Sequence, residues 1–324
     1  MKTTHHIPKK CYEGLATLSD WLGLLERSSA VNRPPSLEES DTLAALFERL
    51  WVATGMDASL GLARSTPDQH LFREKLGRYF YQSMHLERCF EKPRGYAGDY
   101  LMMEGVCHKP QDAATPMGRW LDLWFHDYFP PFVSVRNRRN MVAGILSDEH
   151  SRGAKRVLNV ACGSAPELAL LGNRLRFAEV ALLDQDAEAL AFAKSRLDND
   201  GSPSTIRTIC TSIRQLVEST DDVGSAQFDV VYSMGLYDYL SLSQARKLTS
   251  TLWRLVAPGG LLMVGNFQGH HWARYVMEAV MEWFLIYRDD DDMKLLGSSL
   301  PGAHLNVIQD MTGLLHLLQI RKDG

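Results

Sequence analysis

No run of this chain is apolar for the roughly 18 residues that a helix needs to cross a bilayer. The N-terminal MKTTHHIPKK lacks the apolar core of a secretory leader. Positive charge is not in excess either: 35 lysines and arginines stand against 39 aspartates and glutamates, a net charge of −4. Without a basic field there is no electrostatic reason to expect nucleic acid or an anionic membrane as partner. The densest basic run, Arg136-Asn137-Arg138-Arg139, is short. Cysteine is scarce and scattered: Cys11, Cys89, Cys107, Cys162 and Cys210 form no CxxC and no zinc spacing, which is the usage of reduced cytosolic thiols. His5-His6 and His270-His271 have no Cys, Asp or His at metal spacing, so no metal is expected. These absences lead to the expectation of a soluble, cytoplasmic protein. They carry no indication of oligomeric state.

Strands are missing from the first 150 residues. Ser36-Leu37-Glu38-Glu39 reads as a capping box, followed at helical spacing by Leu43, Leu46, Phe47 and Leu50. A second helix is predicted from Pro67 to about Cys89 and a third from about Pro116 to Tyr128, where Pro130-Pro131 is expected to stop it. Ser134 then caps a fourth to about Leu146. After Gly153 the pattern changes to short β-branched apolar runs (KRVLNVA, AEVALLD, TIRTICTS, FDVVYSM, GGLLMVGNF) separated by helical segments. Such alternation implies a parallel sheet with crossover helices. LNVIQDM and LLHLLQIRK, around Thr312-Gly313, suggest an antiparallel edge hairpin. Asp289 to Asp292 reads as a solvated loop before a helix. The domains expected are a helical cap over 1–150 and a Rossmann-like domain over 151–324, divided in the polar SDEHSRG.

In an open parallel sheet, ligands bind beyond the carboxyl ends of the strands. The first such strand ends in Ala161-Cys162-Gly163-Ser164-Ala165-Pro166, and Asp184 closes the second. Glycine permits a sharp bend and a close ligand approach, and an acid at the second strand's end suits the hydroxyls of a ribose. A nicotinamide dinucleotide fits poorly: only one of the three GxGxxG glycines is present. Pro166 also removes an amide from the helix start where a pyrophosphate wants donors.

VLNVACGSAPE, LLDQD, FDVVYSM and VAPGGLLMVGNF together resemble the class I S-adenosylmethionine-dependent methyltransferases, over about 155–324. The resemblance implies S-adenosyl-L-methionine as cofactor, with Cys162, Gly163 and Ser164 along the methionyl part and Asp184 on the ribose. It also implies Gln185 beside the adenine, Thr211, Ser212 and Ile213 around the base, and Ser233 at the end of the fourth strand. Asn159 and Ala161 depart from the acid and the glycine common in that family. A narrower likeness rests on KPRGYAGDY (92–100), VSVRNRR, YSMGLYDYL and GNFQGHHWARYVMEAVMEWFLIYR. These segments are similar to a bacterial group labelled extracellular-factor 3-hydroxypalmitate methyl ester synthases. That likeness implies roles for Arg94, Tyr96, Asn137 and Arg138 near the methionyl end.

The 92–100 loop itself reads either as a helix–helix turn with an Arg94–Asp99 pair or as a lid in which Arg94 and Asp99 fix the loop or grip a ligand. Tyr96 and Tyr100 would then shield the ligand from water. Tyr237 and Asn266, just past the fourth and fifth predicted strands, stand at the functional edge. Tyr96, Asn137, Tyr237 and Asn266 are therefore the expected shapers of the reacting end. Trp120, Trp124, Phe125 and Tyr128 read as core by their helical spacing, and His270-His271 as a candidate acid–base pair. Methyl transfer to a carboxylate or amino-acid-like acceptor is the leading reaction, because a carboxylate is ionised at neutral pH and needs no strong base. The alternative makes S-adenosylmethionine the sole substrate: its α-amine attacks Cγ and methylthioadenosine leaves, as in azetidine-2-carboxylate synthases. A third reading is a non-catalytic S-adenosylmethionine-binding protein.

Overall fold

The computed structural model describes residues 9–54, 67–109, 113–174, 177–199, 205–224 and 227–324. His5-His6 lies outside the described residues. The chain divides into two units: the residues up to Val133 with Gly269–Phe284, and Ser134–Gln268 with Leu285–Gly324.

The first unit is helical. It contains α1 (Lys9–Arg27), α2 (Leu37–Thr54), α3 (Pro67–Phe80), α4 (Met84–Glu91), α5 (Tyr100–Cys107) and α6 (Pro116–Tyr128). The predicted capping box is present: the Glu39 amide donates to Ser36 Oγ at 3.2 Å, and Glu39 Oε2 accepts the Ser36 amide at 2.8 Å. The single helix expected to run from Pro67 to Cys89 is two, because Ser83 breaks it by accepting the Leu86 amide as N-cap of α4. Thr115 caps α6, with Pro116 in its first turn. The core is aromatic: Phe47, Phe80, Trp124, Phe125, Phe129 and Phe132 are wholly or almost wholly buried, and Trp120 joins them. Trp272, from the returning segment, stacks on Phe47 with ring centroids 6.1 Å apart.

The two prolines end α6 at Tyr128, as expected, and also begin α7 (Pro130–Ser151), since a proline's missing N–H costs nothing in a first turn. Ser134 is therefore inside a helix and buried, and SDEHSRG is the last turn of α7 plus Gly153 (φ 102°) rather than a linker. Val142, Ala143 and Leu146 pack into the core of the second unit. The division consequently falls at Ser134 instead of near 150, and Gly269–Phe284 returns to the helical unit. That segment continues α12 (Ala273–Tyr275) as a π-helical turn over Val276–Val280.

The second unit is a seven-stranded sheet: β1 (Arg156–Val160), β2 (Glu179–Asp184), β3 (Thr205–Cys210), β4 (Phe228–Ser233), β5 (Val256–Phe267), β6 (Ala303–Gln309) and β7 (Leu315–Lys322). Their order is β3-β2-β1-β4-β5-β7-β6, with β1 to β5 parallel and β7 antiparallel to both β5 and β6. This is the Rossmann-like class I methyltransferase arrangement expected from the sequence, and the edge hairpin turns at Thr312-Gly313. Alternate side chains face opposite layers. Val157, Val180 and Leu182 meet α7, α8 (Pro166–Leu171) and α9 (Ala187–Asn199) on one side. Leu158, Val160, Ala181 and Leu183 meet α10 (Ile213–Glu218), α11 (Leu242–Leu255) and α13 (Asp290–Gly297) on the other. Burial on both faces explains why these strands read as unbroken apolar runs. Each wholly buried leucine contributes about 1.5–3 kcal/mol. Asp289 caps α13 by accepting the Asp292 amide, and Asp290 to Asp292 form that helix's first turn rather than a loop. Carboxylates there suit the helix dipole.

Candidate functional site: the carboxyl ends of β1 to β5

The strand order reverses between β1 and β4, which opens a crevice beyond their carboxyl ends. The chain bends there through three left-handed residues, Ala161 (φ 54°), Gly163 (φ 51°) and Ala165 (φ 48°). For the two alanines this conformation costs about 1–2 kcal/mol each. Hydrogen bonds hold the bend against that cost. The Cys162 amide donates to Leu183 O at 3.1 Å and the Ala165 amide to Cys162 O at 2.8 Å. Gly163 N–H donates to Asp184 Oδ2 at 2.9 Å.

Asp184 is the hub. Its Oδ1 accepts the Asp186 amide at 2.9 Å, and its carbonyl accepts the Thr211 amide at 3.1 Å, tying in the segment after β3. Burial raises its pKa above the ordinary value, and the amides of Asp186 and Gly163 oppose that rise. Each carboxylate oxygen keeps a lone pair after one amide bond. Ser212 follows as N-cap of α10, sharing a reciprocal capping box with Gln215. Ile213 leans on the core, and Gln185 is exposed. Ser233 ends β4 and is wholly buried. The Cys162 thiol is buried, which pushes its pKa well up. Cys162, Gly163, Ser164, Asp184, Gln185, Ser212, Ile213 and Ser233 thus line one edge of one sheet.

The remaining residues singled out in the sequence are committed to other contacts. Asn137 Nδ2 donates to Asp310 Oδ2 at 2.9 Å in the β6–β7 turn, and Arg138 donates to the Met234 carbonyl just beyond β4. Tyr237 is not at an open edge: its side chain is wholly buried in the core and its hydroxyl meets Thr249 Oγ1 of α11 at 3.0 Å. Asn266 lies inside β5, wholly buried. It donates to Phe267 O (2.8 Å) and Ile286 O (2.9 Å) and accepts from Arg288 Nη1 at 2.5 Å. Arg94, Tyr96 and Asp99 belong to the helical unit. Asp99 is paired with Arg88, at 3.0 and 2.8 Å, instead of Arg94, and it caps α5 through the Met102 amide. The Arg94 guanidinium stacks over the Tyr100 ring, 4.8 Å from its centroid. His271 is also in that unit, where its Nδ1 accepts the Ala273 amide and burial lowers its pKa.

Sequence reasoning missed several polar groups in the sheet unit. Glu167, in the first turn of α8, accepts from Asn159 Nδ2 at 3.1 Å. Asp238 Oδ1 accepts the Phe267 amide at 2.7 Å, and burial pushes its pKa up to about 6. Arg288 gathers the carbonyls of Tyr237 (2.8 Å) and Leu240 (2.5 Å). The acid after Pro166 was a usable signal for the first; nothing local marks Arg288.

The donor set suits a nucleoside carrying a charged amino-acid arm. Asp184 offers acceptor capacity at a strand end, and the buried hydroxyls of Ser164, Thr211 and Ser233 have no hydrogen-bond partner among the described residues. Among the described residues no cluster of three or more His, Cys, Asp or Glu is arranged to hold a metal, and no helix is long and apolar enough to cross a membrane.

Residues 157–260 match the model of the family described as "Methyltransferase domain". No curated protein matches the chain. A possible exported protein from Bordetella parapertussis shares 17% identity at a TM-score of 0.55, covering 100% of this chain and 99% of that one. At that identity the likeness is one of fold. Magnesium protoporphyrin IX methyltransferase from Synechocystis, with bound S-adenosylhomocysteine, is 12% identical at a TM-score of 0.49, covering 79% and 100%. The N-methyltransferase NodS from Bradyrhizobium japonicum is 18% identical at 0.45, covering 69% and 98%.

Proposed function

We infer, from an S-adenosylmethionine-dependent transferase whose methyltransferase domain spans residues 157–260, that the reaction is methyl transfer to a carboxylate or amino-acid-like small molecule. The observation that carries the cofactor assignment is Asp184: a buried carboxylate at the end of β2, tied by one oxygen to the amide of the Gly163 bend. When bound, the cofactor supplies an electrophilic methyl carbon on a sulfonium. Asp184 then accepts the ribose hydroxyls, in charge-assisted bonds that run about twice as strong as neutral ones. The bend at Ala161 to Ala165 gives the methionyl arm room that a Cβ at Gly163 would take. The buried hydroxyls of Ser164 and Ser233, which have no partner among the described residues, supply further hydrogen-bonding groups. Arg138, held to the Met234 carbonyl, is the cation for a carboxylate at the end of β4. An acceptor carboxylate needs no base, so alignment and exclusion of water supply the rate. The setting is cytoplasmic.

The test is incubation of the whole chain with S-adenosylmethionine alone, followed by mass spectrometry. Methyl transfer requires the cofactor to stay intact until an acceptor is added. Rapid release of methylthioadenosine with a cyclic imino acid would replace transfer by intramolecular displacement.

A further inference from the structure

Two acids, Glu167 and Asp184, lie at the bend. Glu167 is only 5% exposed and turns back beneath the bend to Asn159 of β1. Tyr232 of β4 lies beside it, and Arg138 of α7 is the cation in its field. The same arginine lies in the field of Asp238, which also has Arg288, and it donates to the Met234 carbonyl. Cys162, at the bend itself, sits in the fields of both Glu167 and Asp184 of β2. Arg196 of α9 is directed to the Ser164 carbonyl. Glu167 and Asp238 thus share Arg138, Asp184 is held by the Gly163 and Asp186 amides and not by a cation, and the buried hydroxyls of Ser164 and Ser233 have no partner among the described residues. Such a site is incomplete without a positive charge, because buried charges need a counter-ion.

The two natural occupants of a methyl-transfer site differ in just that respect. S-adenosylmethionine carries a carboxylate, an ammonium and a sulfonium, a net +1. S-adenosylhomocysteine has lost the sulfonium charge and is neutral overall. We propose that Glu167 is a positioning residue that, with Asp184, gives this site a charge preference: it favours the cationic cofactor over the neutral thioether product and so speeds product release. The inference rests on the cofactor reading above. Glu167 acts through space from beneath the bend, where a low effective dielectric leaves a charge interaction larger than in water. It also links binding to pH, since burial holds its pKa above the usual carboxylate value. A cationic ligand that draws Glu167 to its ionised form releases a proton on binding.

Isothermal titration of the full chain with S-adenosylmethionine and with S-adenosylhomocysteine, in two buffers of different ionisation enthalpy, tests this. Wild type binds the sulfonium about tenfold more tightly, with net proton release specific to it. Glu167→Gln brings the two affinities within about twofold and abolishes that release, while Glu167→Asp keeps most of the preference. A ratio unchanged in Glu167→Gln, or two affinities that fall by the same factor, reduces Glu167 to a structural support and overturns the proposal. Should Glu167→Gln not fold, the wild-type ratio between pH 7 and 5 decides: it falls as the acid is protonated, and a flat ratio overturns the proposal. Binding of neither ligand overturns the cofactor reading itself, an outcome distinct from an unselective site.

Discussion

At the scale of residues, function turns on which buried carboxylates are committed and to what. Asp184 holds two amides and retains acceptor capacity, so it should carry much of the cofactor's affinity. Asp184→Ala is expected to weaken S-adenosylmethionine binding by about 1–3 kcal/mol, the worth of a charged hydrogen bond; unchanged affinity by calorimetry would mean that the ribose lies elsewhere. Asp238 makes a different prediction. Its folded-state pKa, pushed up to about 6 by burial, lies above the unfolded value of about 3.9. The folded chain therefore binds this proton more tightly than the unfolded one, and stability falls as pH rises from about 4 to about 6. The unfolding free energy of wild type relative to Asp238→Asn should drop by roughly 2–3 kcal/mol across that window and level off above it. Stability curves that stay parallel from pH 4 to 7 would show that Asp238 holds no such proton.

At the scale of elements, close packing in the helical unit depends on one residue without a Cβ. Gly118 lies in the first turn of α6, where an added Cβ would come 2.1 Å from the backbone oxygen of Gln82 and 3.1 Å from the Thr115 hydroxyl that caps the helix. Backbone cannot yield as a flexible side chain does. Gly118→Ala is expected to destabilise the protein by about 1–3 kcal/mol, as overpacking does, despite alanine's better helix propensity. Chemical denaturation followed by tryptophan fluorescence measures it, and a midpoint equal to wild type would place α6 differently. Pro130-Pro131 was legible as the stop of α6, which ends at Tyr128. That the same prolines begin α7 was not, because Ser134 carries the stronger local capping signal.

At the scale of the whole molecule, the sheet was legible because its strands are buried on both faces, which writes short β-branched runs between helical stretches. Even the β6–β7 hairpin showed in LNVIQDM and LLHLLQIRK, punctuated by Gly313, whose φ of 71° needs glycine. A helical part before a sheet part was legible; where the division falls was not. Val142 and Leu146 of α7 look like any apolar helix face until the sheet is present to receive them, and nothing in GHHWARYVMEAVMEWF marks it as a return to the helical unit. Strand ends are why Gly163 and Asp184 could be named together, and a hydrogen bond joins them. Tyr237 and Asn266 were placed by the same logic, but one side chain points into the core and the other is locked by Arg288; orientation is set by packing that no local pattern records.

Every functional statement depends on S-adenosylmethionine seating beyond β1 and β4. A crystal structure of the protein grown with S-adenosylmethionine puts that placement to the test. The ribose diol is expected on the Asp184 carboxylate, with the methionyl arm along Gly163 and Ser164. A ligand bound away from these strand ends, or no binding at saturating concentration, would contradict it.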